Sequence, residues 1–203
     1  MIAVRAARVV AVLLAGAAVA AAGCSDDDGD DVVSPQQAPT AGWTTYRDTA
    51  HGLQVQFPSD WRRARRSLTP NLADPRELLS VGTGPFPQST RGACAHRPVG
   101  ALEALGPRDA FVSVQERRTG GGDYPPRPRR FSLNRSERAE RLSCVGEHEA
   151  GRLDTWWIPF GDSGRRFYAL VAIGADAPAA RRADARRVLD SLRFSVGPPQ
   201  KGG

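Results

Sequence analysis

The sequence predicts an α+β domain of antiparallel strands with two helices, and three observations carry that expectation. Leu53-Gln54-Val55-Gln56-Phe57 alternates apolar and polar residues strictly, the signature of a half-buried strand. Residues 153–160 and 167–173 are aromatic or β-branched runs joined across Gly161-Asp162-Ser163-Gly164, as in a β-hairpin. Ala185, Val188, Leu189 and Leu192 recur at i, i+3, i+4 and i+7, one face of a helix. A length of 203 residues leaves room for one domain with appendages and excludes a two-domain enzyme. The 21 Gly and 16 Pro make the chain loop-rich, which excludes a helical bundle.

The globular part is expected over residues 43–196, and each element has its own reason. Residues 44–47 read as a short strand, and Ala50-His51-Gly52 turns the chain into the alternating run at 53–57. Pro58-Ser59-Asp60 turns it again. Trp61 and Ala64 then point inward among Arg62, Arg63, Arg65 and Arg66, a third strand with a basic outer edge that completes a meander. Residues 78–81 form another strand, followed by Gly- and Pro-rich sequence up to Cys94.

Residues 98–105 suit a short helix, with Pro in its first turn and Gly106-Pro107 to stop it. The β-branched and aromatic run at 110–116 is a strand. Three glycines, three prolines and three arginines make residues 119–130 an exposed loop, after which Phe131 and Leu133 alternate again. Asp176 and Pro178 open the last helix, whose wet face takes Arg181, Arg182 and Arg186, with Arg186 and Asp190 spaced as an i, i+4 pair. Phe194 and Val196 add a final edge strand before a flexible tail at 197–203.

Charge is unevenly distributed. Of the 28 basic residues only Lys201 is lysine, a bias that a GC-rich genome produces without selection for anion binding. Asp26, Asp27, Asp28, Asp30 and Asp31 crowd into one stretch. Without them and Arg5 and Arg8, 26 basic and 17 acidic residues remain from Trp43 onward, a net +9 against +6 for the whole chain.

Arg5 and Arg8 form a positive region ahead of an uninterrupted run of 14 small apolar residues at 9–22, which reads as a secretory signal. A spanning helix needs about 20 predominantly apolar residues, and this run is short and Ala-rich. The run ends in Ala21-Ala22-Gly23-Cys24, which resembles the lipobox of bacterial lipoproteins. The resemblance implies that residues 1–23 are a signal peptide that is cut away and that Cys24 is S-diacylglyceryl modified and acylated. Two or more acyl chains anchor stably, at about 0.8 kcal/mol per buried methylene. The membrane bilayer is then a partner, and the expected location is the extracytoplasmic face of the cell membrane. Residues 24–42, acidic and then Pro-, Gln-, Ala- and Thr-rich, lack the apolar residues to seed a core and read as a disordered stalk. A flexible coil of that length spans roughly 20 to 25 Å.

With Cys24 assigned to lipid, Cys94 and Cys144 are an even pair in an oxidising compartment, where a disulfide is the default. Closing a loop of about fifty residues stabilises a fold by roughly 4 kcal/mol in the chain-entropy model. The competing arrangement is a zinc site of Cys94, His96, Cys144 and His148, although its spacing pairs each thiol with a histidine rather than following C-x₂₋₄-C and H-x₃₋₅-H.

Tyr46-Arg47-Asp48, Gly52-Leu53, Phe57-Pro58-Ser59-Asp60-Trp61, the run Tyr168-Ala169-Leu170-Val171-Ala172, and Arg187-Val188-Leu189-Asp190-Ser191-Leu192-Arg193-Phe194 form a pattern that resembles the PsbP-like superfamily, including actinobacterial LpqN-type lipoproteins. The resemblance covers residues 43–196. It implies an antiparallel sheet sandwiched by helices and a non-enzymatic binding or assembly module, and it carries over no site residues.

No residue set forms a convincing active site. Gly161-Asp162-Ser163-Gly164 matches the nucleophile motif of trypsin-like proteases, and Thr49-Ala50-His51 faintly echoes their histidine motif. Arg165 stands where that motif continues with glycine, and Gly, Asp and Ser are also the favoured residues of a hairpin turn. There is no Gly-rich phosphate loop, metalloprotease helix motif or CxxC, so neither a cofactor nor a resident metal is expected. Arg62, Arg63, Arg65, Arg66, Arg127, Arg129 and Arg130 are the candidate anion-binding residues. Export argues against nucleic acid and points to an anionic envelope polymer or an envelope protein as partner. The expected function is therefore a lipid-anchored binding or scaffolding module of the cell envelope. The alternatives are an envelope hydrolase using Ser163 or the Cys/His metal site, and a plain structural spacer.

Overall fold

The computed structural model describes residues 42–88, 96–122, 124–134 and 152–196. Among them are eight strands and two helices, an α+β arrangement in which every strand pairing is antiparallel. In chain order they are β1 (Trp43–Asp48), β2 (Leu53–Pro58), β3 (Arg62–Arg63), β4 (Arg76–Gly82), α1 (Val99–Ala104), β5 (Ala110–Arg117), β6 (Leu153–Asp162), β7 (Arg165–Gly174), α2 (Ala179–Asp190) and β8 (Arg193–Phe194). They form a three-stranded sheet, β1-β2-β8, and a five-stranded sheet, β3-β4-β5-β7-β6.

The two-residue side-chain period of the long strands gives the larger sheet two distinct faces. Register places Val112 opposite Val171, and Trp156 also opposite Val171, on one face. That face meets Ala185, Val188, Leu189 and Leu192 of α2 together with Leu53, Val55 and Phe57 of β2 in the main core. The other face carries Phe111, Leu170 and Ala172, which pack with Ala101, Leu102 and Leu105 of α1 and with Leu68 in a second cluster. Because both faces of β5 are covered, all of residues 110–116 are buried, including Ser113, Gln115 and Glu116.

Several expectations are corrected. The third strand shrinks to Arg62–Arg63, because Trp61 is already buried at the turn and the pairing with β4 ends after one further hydrogen bond, from the Ala64 N–H to Ser80 O at 2.9 Å. The hairpin arms extend to Asp162 and Arg165, leaving a two-residue turn of Ser163 (φ 52) and Gly164 (φ 71). Two successive positive φ values are what a tight hairpin of right-handed twist requires. Phe131 and Leu133 are buried but form no strand. On α2, Arg181 and Arg182 are half-buried and paired, Arg181 with Asp60 at 2.9 Å and Arg182 with Asp154 at 3.0 Å. Asp190 does not pair with Arg186: its Oδ1 accepts the Phe131 N–H at 2.8 Å.

Candidate ligand-binding cleft

α1 covers only one end of its face of the sheet. At the other end Leu72, Asp74, Pro75, His96, Arg117, Trp157 and Tyr168 line a cleft of about 290 Å³. Register explains how distant residues meet there. Gln115 lies opposite Tyr168, Arg117 opposite Arg166, and Trp157 opposite Leu170, all on the α1 side of the sheet. Trp156 therefore turns into the main core while its neighbour Trp157 turns toward the cleft.

Two carboxylates hold the rim. Glu77 Oε2 accepts the Leu68 N–H at 2.7 Å and the Thr69 N–H at 3.1 Å, while its Oε1 accepts Ser80 Oγ at 2.6 Å. This fixes the segment leading to Leu72. Asp74 accepts the backbone N–H groups of Arg118 at 2.7 Å and Thr119 at 3.1 Å, as well as the Thr119 hydroxyl. Burial pushes the Asp74 carboxyl up, but these hydrogen bonds and the Arg117 charge outweigh it and hold it below the usual aspartate range.

The walls are aromatic. Trp157 and Tyr168 have ring centroids 4.8 Å apart at 31°, and His96 meets the Trp157 ring edge-on at 5.7 Å. Tyr124 packs behind Tyr168 at 5.2 Å and its hydroxyl bonds the Tyr168 hydroxyl. Burial and this neighbour raise Tyr124 above the ordinary tyrosine value, so its hydroxyl keeps its proton at physiological pH. Gln115 Nε2 donates to the His96 carbonyl at 2.8 Å, and Gln115 Oε1 is buried without a hydrogen-bond partner among the described residues.

Three polar groups at the cleft are uncommitted. Arg117 Nε donates to Thr119 O at 2.8 Å and lies 3.6 Å from Asp74, but its two terminal nitrogens donate to no acceptor among the described residues. Two tyrosine hydroxyls share one hydrogen bond, so one of the two O–H hydrogens lacks an acceptor there. Neither ring nitrogen of His96 is hydrogen-bonded among the described residues. Burial, reinforced by the charges of Arg97 and Arg117, lowers His96 below the usual histidine value and keeps its ring neutral near neutral pH.

A second concavity, a more open groove of about 410 Å³, lies beside β1, β2 and β8. Its charged side chains are already paired: Arg47 donates to Gln54 at 2.9 Å, Asp48 meets His51 Nδ1 at 2.7 Å, and Arg193 donates to the Asp190 and Leu192 carbonyls at 2.9 and 2.7 Å.

The residues singled out from sequence are scattered. Arg62 and Arg63 lie on the β3 edge and, with Arg65 and Arg66, are exposed; Arg63 covers the Tyr46 ring at 4.3 Å. Arg129 and Arg130 are exposed, but Arg127 is half-buried, contrary to the exposed loop expected at 119–130. Arg127 donates to the Leu189 and Asp190 carbonyls at 3.2 and 2.9 Å and to Asp162 at 3.3 Å, which ties it to the last turn of α2. Pro126 bridges Gly161 of β6, at the opposite edge of the sheet from β3, so the two arginine groups do not form one patch. Ser163 Oγ lies 2.9 Å from Asp162 Oδ1 and 3.0 Å from Phe194 O, and no histidine is hydrogen-bonded to it among the described residues. Cys24, Cys94, Cys144 and His148 lie outside the described residues, as do residues 1–41 and 197–203, which include the expected signal peptide, most of the expected stalk and the expected tail. No group of metal-ligating side chains and no helix long and apolar enough to cross a membrane occurs among the described residues.

Sequence reasoning did not single out Trp157 or Tyr168 as site residues, weighed Arg117 only as part of a scattered basic segment with Arg118, and weighed His96 only as a zinc ligand or a surface residue. The available signal was the adjacent pair Trp156-Trp157 in a strand, which must place one indole on each face. No protein-family model, no curated protein and no solved structure matches this chain. The fold and cleft thus define a class, an α+β domain with one partly covered sheet face.

Proposed function

We propose that this protein is a lipid-anchored, extracytoplasmic module of the bacterial cell envelope that binds a ligand in the cleft of Trp157, Tyr168, His96 and Arg117. The observation that carries the binding reading is the set of uncommitted donors on Arg117, the tyrosine pair and His96 beside aromatic walls. A concave, mostly apolar site with a few convergent polar groups is the form small-molecule sites take. The location rests on Arg5, Arg8, the apolar run at 9–22 and the lipobox-like Ala21-Ala22-Gly23-Cys24. The covered sheet is compatible with the PsbP-like resemblance, whose members are mostly non-enzymatic. The exposed Arg62, Arg63, Arg65 and Arg66 remain a second surface for an anionic envelope polymer or protein.

Two measurements test this reading. Intact mass of the membrane-extracted protein should show loss of residues 1–23, a diacylglyceryl group on Cys24 and the mass deficit of a Cys94–Cys144 disulfide. A chain with Met1 retained and all thiols free overturns the location. A thermal-shift screen of envelope-derived small molecules should find compounds that raise the Tm of the native chain but not of Trp157→Leu. Compounds that stabilise both equally overturn the cleft as the binding site.

A further inference from the structure

We infer that the ligand of this cleft is a ring-bearing monocarboxylate, its carboxylate taken by the Arg117 fork and a tyrosine hydroxyl and its ring laid against Trp157. The inference rests on the binding reading above and adds the chemical class.

Charge sets the acid. Among the described residues that line the cleft, Arg117 is the cationic side chain and His96 the only other basic residue. Asp74, the one acidic residue among the described lining, is saturated by the Arg118 and Thr119 donors and sits at the Nε side of Arg117, 3.6 Å away. It therefore braces the guanidinium and leaves the edge carrying both terminal nitrogens unused. A planar fork with two parallel N–H groups matches one carboxylate bidentately. The His96 ring, kept neutral by burial and by Arg97 and Arg117, adds a hydrogen-bond donor without a second full charge. Asp74 offsets part of the Arg117 charge, and its own negative charge disfavours a doubly charged phosphate more than a monocarboxylate.

Shape sets the ring. The Trp157 and Tyr168 rings, tilted by 31° with centroids 4.8 Å apart, make an apolar corner completed by Leu72 and Pro75. Flat aromatic and cyclic saturated bodies both pack on such faces. The volume of about 290 Å³ lies at the small end of ligand pockets, which run from about 300 to 1,000 Å³. A single ring with a short acid arm fills it; a polymer chain does not enter. Two sources share this chemistry, aromatic acids and sugar acids.

The test is calorimetric titration of the purified full chain with 4-hydroxyphenylacetate, glucuronate, the neutral 4-hydroxyphenylacetamide and inorganic phosphate. At least one of the two acids should bind with 1:1 stoichiometry, and which one does assigns the source. The amide and phosphate should bind at least about tenfold more weakly than that acid. Arg117→Gln should weaken the acid by a similar factor and leave the amide unchanged, and Arg117→Lys should restore only part of the loss because it keeps the charge without the fork. Trp157→Leu should weaken acid and amide alike, with Tm followed to confirm that each variant is folded. Equal affinity for acid and amide, both abolished by Trp157→Leu, overturns the carboxylate and keeps the binding module. Tightest binding by phosphate overturns the class. No binding by any of the four, or binding that Trp157→Leu does not change, overturns the class and the cleft together.

Discussion

Arg165 Nε lies 2.7 Å from Glu116 Oε1, and the two side chains are only 5% and 6% exposed. Arg76 Nη2 reaches the other carboxylate oxygen at 2.8 Å, so one buried acid is shared by two guanidinium groups from neighbouring strands. Burial pushes Glu116 up, but Arg165 and Arg76 outweigh it and hold it below the usual glutamate range. A depressed folded value stabilises the fold above the unfolded pKa, and that contribution is lost as pH falls through the folded value. Glu116→Gln should therefore destabilise the protein by about 3 kcal/mol near neutral pH, with two cations left short of a counter-charge. Urea denaturation across an acid series should show the gap between native and variant closing below the ordinary glutamate pKa of about 4.3. A gap that stays constant with pH would disprove the charge assignment.

Arg127 and Arg129 lie two residues apart and should behave as opposites. The Arg127 guanidinium satisfies the Leu189 and Asp190 carbonyls at the end of α2, where backbone acceptors have no intrahelical partner, and also bonds Asp162. Arg127→Ala should cost about 2 to 3 kcal/mol. Arg129→Ala, at an exposed site, should stay within about 0.5 kcal/mol. Chemical denaturation of both variants decides the matter: equal effects would mean that Arg127 does not cap the helix.

Glu77 is expected to act locally. Its carboxylate gathers the Leu68 and Thr69 N–H groups and the Ser67, Thr69 and Ser80 hydroxyls. Glu77→Gln exchanges one acceptor oxygen for a donor. Hydrogen exchange of the Leu68 and Thr69 amides should accelerate by roughly tenfold or more, while amides in the β5 and β7 core keep their protection. Uniform acceleration across the chain would show that Glu77 supports the whole fold rather than the rim of the cleft.

The parts of this structure that could be read from sequence are those whose cause is local. Alternation at 53–57, the helical spacing of Ala185, Val188 and Leu189, and the β-branched run at 110–116 all became the expected elements, because one-dimensional periodicity reports which face is buried. The hairpin turn was placed but drawn too wide. Gly161 and Asp162 are turn formers by type, yet Gly161 is held in the strand by pairing with Arg166 and by its N–H to Pro125 O at 2.8 Å. The role of Arg127 was invisible because its partners lie some sixty residues away, |i−j| being 62 and 63. The cleft was invisible for a similar reason. Arg117, Trp157 and Tyr168 come from three strands and His96 from the approach to α1, and only strand register brings them together. Of the arginines taken as one candidate set, the sequence could not indicate that the sheet separates them by its full width.

The chain enters the domain at Trp43, whose indole lies under the Arg187 guanidinium at 4.2 Å on the α2 side of the larger sheet, while the cleft opens on the α1 side. Trp43 and the cleft thus lie on opposite faces of one sheet, so a substitution at Trp43 and a molecule held in the cleft have the full thickness of β5 and β7 between them.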